Sequence, residues 1–162
     1  LLSVGLIPEN ELTRSAGVDL DRVTNGAVVD QDSATLVDGI FACGNVLHVH
    51  DLVDFVSQEA EIAGKGAAAY IKGETTKVTD ITIKTDGKIR YTVPQKITSS
   101  KDINVYFRVA DVYKNVKINV YNDKELIFSR KKMKVAPGEM ESVIIKKDLL
   151  ADTKELRFEL EV

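Results

Sequence analysis

The 162 residues carry a net charge of −3, with 44% hydrophobic and 29% charged side chains, a composition that excludes a disordered chain and suits one ordinary domain or two small ones. No stretch reaches the length of a membrane span, and the one cysteine, Cys43, excludes an internal disulfide. The opening LLSVGLIP has neither the basic flank nor the cleavage site of a signal peptide, so cytoplasmic residence is the expectation.

The chain opens without Met inside an apolar, strand-like run, Leu1 to Leu6, and so reads as a fragment. Pro8, Glu9 and Asn10 mark a turn, and ENELTRSAG predicts a short helix stopped by Gly17. Asn25-Gly26 lies between Leu20–Val23 and Ala27–Asp30, which predicts a two-residue β-hairpin. Ile40-Phe41-Ala42-Cys43 is a short apolar run of the kind found in strands buried on both faces. After a polar loop, Val56, Ala60, Ala63, Ala67 and Tyr70, with Ile62 and Ala69 beside them, recur at helical spacing up to Lys72-Gly73. These residues are small, which suits a helix packed close to a sheet.

Gly73 to Asp80, GETTKVTD, reads as a linker. Charge changes there: up to Lys72 there are 4 Lys and Arg against 11 Asp and Glu, and from Gly73 onward 18 against 14. Periodicity changes too. Ile81 and Ile83; Ile89, Tyr91 and Val93; Ile103 to Val109; Val116 to Val120; and Leu156 to Val162 alternate at period two, with turns at Asp86-Gly87, Asn122-Asp123 and Pro137-Gly138. Six or seven antiparallel strands are expected, in an all-β, immunoglobulin-like sandwich over 81–162 that lacks the Cys and Trp landmarks of antibody domains.

The first 72 residues resemble the end of the FAD domain in pyridine nucleotide-disulfide oxidoreductases. In that family a strand written roughly T-x-x-x-G-[IV]-[FY]-A-x-G-D closes the FAD site; Thr35, Gly39, Ile40, Phe41, Ala42 and Gly44 match it, and Asn45 stands where Asp is usual. The segment HVHDLVDFVSQEAEIAG looks most like flavoproteins related to the sarcosine oxidase alpha subunit and to anaerobic glycerol 3-phosphate dehydrogenase. The resemblance implies an α/β remnant over 1–72, the end of an FAD-binding Rossmann-like domain. It also implies FAD contacts from Thr35, Gly44, Asn45, Val46, Ser57, Gln58 and Glu59, with Ser57-Gln58-Glu59 at a helix N-terminus facing the flavin. Asn45 keeps hydrogen-bonding capacity but removes one negative charge relative to Asp. The G-x-G-x-x-G loop, the NAD(P) domain and a Cys-x-x-Cys pair are absent from this sequence, so the upstream FAD and NAD(P) domains of a parent chain are the expected partners.

His48-x-His50, with Asp51 and Asp54, is the cluster whose donors suit a metal. The favoured reading is a loop lining the flavin pocket with no metal, its histidines serving as candidate proton carriers. Cys43 reads as structural, and Gly64-Lys65-Gly66 as a packing feature, since it is not a P-loop. Arg130-Lys131-Lys132 and Lys134 read as a solvated surface suited to docking on the acidic flavin domain or a redox partner protein, with no nucleic acid involved. The functional expectation is a C-terminal fragment of a flavoprotein that moves electrons between NAD(P)H and an acceptor through FAD. The alternative is a non-catalytic β-sandwich interaction module carrying a vestigial flavin-domain segment. An exposed strand edge and an apolar helix face also lead to an expectation of self-association.

Overall fold

The computed structural model describes residues 5–75, 81–98 and 100–162. The expected strand at Leu1–Leu6 falls mostly outside the described residues, as does the second half of the linker. The chain divides into two compact units, Leu1–Thr76 and Lys77–Val162. No helix among the described residues is long and apolar enough to cross a membrane.

Among its described residues the first unit contains two α-helices, α1 (Glu11–Ser15) and α2 (Val53–Ile71), joined by turns and isolated bridges. Helix α1 stops where expected, with Gly17 at φ +76°. The two-residue hairpin expected at Asn25-Gly26 does not form; a six-residue loop is closed by one isolated antiparallel bridge instead. Asp21 Oδ1 accepts the N–H groups of Val23 and Thr24, each at 2.9 Å, and Leu20 bridges Ala27 across the loop. Asn25 takes the left-handed conformation at φ 57°. Gly26 is required for a different reason: a Cβ there would overlap the main chain of Leu47.

The apolar run at Ile40–Cys43 does not become a doubly buried strand. Phe41 makes one antiparallel bridge to Ala34, and all four residues are only half-buried. A strand of the expected kind needs hydrogen-bonding neighbours on both sides; here the Ser33–Thr35 turn supplies one. Helix α2 buries Glu59, Ala63 and Gly66, a face rotated from the alanine stripe, and Ala60 is exposed. Of the two helix glycines, Gly66 sits where a Cβ would overlap the Asp32 carbonyl, and Gly64 faces open space.

The second unit is β-rich. Among the described residues eight strands run β1 (Ile81–Thr85), β2 (Ile89–Val93), β3 (Lys96–Ile97), β4 (Ile103–Val109), β5 (Tyr113–Asn122), β6 (Glu125–Val135), β7 (Glu141–Ile145) and β8 (Glu155–Glu161). They form two sheets, ordered β3-β1-β8-β5-β6 and β2-β4-β7. The purely antiparallel arrangement expected from sequence is corrected by one pair: β1 runs parallel to β8, with Ile83 opposite Leu156.

Alternation along the strands builds one core from both sheets. Ile83, Ile89, Val105, Phe107, Ile118, Val120, Leu156 and Phe158 all belong to it. The rings of Phe107 and Phe158, from different sheets, meet edge to face at 5.9 Å. Asp86 fixes the crossing between sheets: its Oδ1 accepts Lys88 N–H and Ile89 N–H, each at 3.0 Å, and its Oδ2 accepts Leu160 N–H at 2.9 Å.

The two glycine environments lead to opposite outcomes. Gly26→Ala should destabilise the first unit by about 1–3 kcal/mol through overlap with Leu47. Gly64→Ala should stabilise it by up to about 1 kcal/mol, because alanine is the better helix former and has room. Urea midpoints of the two variants should move in opposite directions from wild type. Phe158→Ala should lower the stability of the second unit by about 3–5 kcal/mol, read in the same titration.

Candidate functional site

The turn at Gly44 is the centre of the first unit's polar chemistry. Gly44 has φ +72°, a conformation that glycine adopts without steric cost. Gly44–Val46 then forms a single 3₁₀ turn. The Gly44 N–H points inward and donates to Glu59 Oε2 at 2.7 Å.

Glu59 stands in the second turn of α2 and is buried together with His48 and His50. Its Oε1 lies 2.7 Å from His48 Nε2, and its Oε2 lies 3.0 Å from His50 Nε2. One carboxylate therefore gathers two imidazoles and a main-chain N–H. Spaced two residues apart, His48 and His50 send their rings to the same side of the loop that follows the 3₁₀ turn, where the rings meet at 4.3 Å between centroids. Phe55 lies on the outer side of His50, 6.5 Å between centroids.

Burial by itself would raise the pKa of Glu59. The hydrogen bonds from His48 and His50, and the positive charge these rings carry when protonated, outweigh it and bring the pKa down to about 2. Cys43 moves the other way: burial first, and the negative charge of Glu59 second, raise its thiol pKa. It therefore stays a thiol near neutral pH, in keeping with a structural role.

Neighbouring turns hold the loop in place. Asn10 Nδ2 donates to Val46 O at 2.7 Å and to Asn25 O at 2.9 Å, so one buried amide ties three segments together. Asn45 Oδ1 accepts the His50 N–H at 3.2 Å. At the far end of α2, Tyr70 donates its hydroxyl to Asp38 Oδ2 at 2.9 Å, and its ring packs against Gly39 and Phe41. Asn10 also lines a cleft of about 430 Å³ with Ile7, Pro8, Arg14 and Asn25. Its Oδ1 is buried and has no hydrogen-bond partner among the described residues.

The residues singled out from sequence separate into two groups. Gly44, His48, His50 and Glu59 converge in the buried cluster, with Asn45 beside it through His50. Thr35 is held apart in its own turn, exchanging hydrogen bonds with Val37 N–H and O. Val46, Ser57 and Gln58 are exposed. Ser57-Gln58-Glu59 is not the helix start, because α2 begins at Val53; the free N–H groups and positive helix end therefore lie four residues earlier. The carboxylate partner of the histidines is Glu59, whereas Asp51 and Asp54 are exposed. Sequence did contain a signal for this: Glu59 is the one charged residue on a face otherwise formed by Val56, Ala63, Gly66, Ala67 and Tyr70.

In the second unit the basic run also departs from a simple solvated surface. Arg130 and Lys132 converge on Glu141 at 3.2 and 3.0 Å, while Lys131 and Lys134 remain exposed. No family model, curated protein or solved structure matches this chain.

Replacing Glu59 by Gln should cost about 3 kcal/mol at neutral pH, the usual penalty for breaking a buried ionic cluster. Because the folded-state pKa of Glu59, about 2, lies below its ordinary value of 4.5, its ionised form stabilises the fold fully above about pH 4.5 and loses that effect as pH falls toward 2. The stability difference between wild type and Glu59→Gln, measured by chemical denaturation, should shrink across that window.

Proposed function

We propose that the first unit is the closing segment of a Rossmann-like FAD domain in an NAD(P)H-linked flavoprotein oxidoreductase, and that the β-rich unit is an appended immunoglobulin-like sandwich. The observation that carries this reading is the Gly44 turn. Its glycine is pinned from the protein side by Glu59, while the next two residues, Asn45 and Val46, are exposed. A motif built to touch a ligand needs this combination of a rigid base and exposed residues beside it.

The residues present fit the group. Buried Asn10 Oδ1, without a hydrogen-bond partner among the described residues and lining a cleft, is an acceptor suited to a donor supplied by a ligand or by upstream chain. Asn45 and Val46 would hold the cofactor edge, and the N-terminus of α2 at Val53 would favour negative charge nearby. FAD, when bound, supplies electron transfer between NAD(P)H and an acceptor. This chain's own residues position and shield: Gly44 shapes the turn, Glu59 and the histidines fix it, and Asn10 anchors Val46 from behind. The partners are the upstream FAD and NAD(P) domains, with Lys131 and Lys134 available for docking to an acidic surface or to a redox partner protein.

The visible spectrum of the intact parent protein tests this reading. A bound flavin that bleaches on anaerobic addition of NADH or NADPH is the expected outcome. A parent protein that purifies colourless and takes up no added FAD would overturn it, leaving the β-rich unit as a non-catalytic interaction module.

A further inference from the structure

We propose that His48, His50 and Glu59 form a binding site for a divalent transition-metal ion of the zinc class. One ligand atom from each residue lies within 4.8 Å of the others, and all three residues are buried. Two imidazole nitrogens and one carboxylate oxygen are the donor set that borderline-soft divalent ions prefer, and hard ions such as Mg²⁺ and Ca²⁺ do not. Three protein ligands supply three of the four positions of a tetrahedral site.

The scaffold is prepared for such an ion. The side chains of His48, His50 and Glu59 are 1%, 0% and 5% exposed, so their rotamers are set by packing before any ion arrives. Gly44 N–H on Glu59 Oε2 orients the carboxylate from behind, which is the kind of supporting hydrogen bond that metal ligands commonly receive. Both His rings already direct Nε2 at the carboxylate. To bind, each imidazole must present the Nε2 lone pair, with its ring proton on Nδ1, and the Nε2–Oε separations of 2.7 and 3.0 Å must widen by a few tenths of an ångström to admit the ion. The ion would replace the bridging protons and balance a buried negative charge. Asp51 and Asp54, the carboxylates adjacent in sequence, take no part because both are exposed.

The test is a Co²⁺ titration of the tag-free intact chain after treatment with chelator, followed by displacement with Zn²⁺. The result needs no flavin, so its failure is separable from failure of the flavoprotein reading. One equivalent of Co²⁺ should produce visible ligand-field absorption that Zn²⁺ abolishes, and Zn²⁺ should raise the melting temperature by several degrees. Glu59→Gln and the double change His48→Gln with His50→Gln should each abolish the absorption, whereas Asp51→Asn and Asp54→Asn should retain it. Because the chain has two histidines in all, nitrogen NMR of the imidazoles reports on this site in the wild-type protein, even if a variant fails to fold. Both Nε2 signals should shift on Zn²⁺ addition. A wild-type chain with no ligand-field bands and unmoved imidazole signals would overturn the proposal, as would absorption that survives loss of both histidines.

Discussion

The first unit depends on one buried carboxylate. Glu59 receives a main-chain N–H from Gly44 and faces the Nε2 atoms of His48 and His50. A charge placed among small apolar side chains would be costly if left alone, and these partners are what make its burial tolerable. Because the partners come from the loop and the carboxylate from α2, the same contacts that satisfy the charge also dock the loop on the helix. Gly26 and Gly66 extend this principle to the backbone, each giving up a side chain so that the main chain of Leu47 or Asp32 can approach closely.

The second unit is held by different physics. Its core is continuous and apolar across two sheets, and two carboxylates act where the chain passes from one sheet to the other. Asp86 does this between β1 and β2. Glu141 does it between β6 and β7, drawing together Arg130 and Lys132. Part of the basic run is thus internal neutralisation and part is surface.

The β character of residues 81–162 was legible because alternation is a local property: each of β1, β2, β4, β5 and β8 displays its buried face in its own sequence. Strand β6 was harder to see. It lies at the edge of its sheet, so few of its residues enter the core and its Arg130-Lys131-Lys132 stretch breaks the period. The parallel pairing of β1 with β8 has no local signature at all. In the first unit the α1 stop at Gly17 and the existence of α2 could be read directly. The turn at Asn25-Gly26 could not be read fully, because the constraint on Gly26 comes from Leu47, far along the chain. For the site, His48 and His50 were visible as a pair, but their carboxylate was assigned to sequence neighbours. The correct partner lies on a helix, and identifying it requires noticing a charge on the face that packs inward.

The pairing of β1 with β8 sets an order of events during synthesis. Among the described strands, β1 has hydrogen-bonded neighbours only in two-residue β3 and in β8. Until the ribosome has released Glu155–Glu161, the first strand of this unit has almost nothing to pair with, and β5 also lacks one of its two neighbours. The β2-β4-β7 sheet and the β5–β6 hairpin can form earlier, but the larger sheet closes only when its last-made strand inserts between β1 and β5. Such late, long-range closure slows folding relative to a fold of the same size built from local contacts. The nascent unit therefore presents unpaired edges on β1 and β5 until β8 is available.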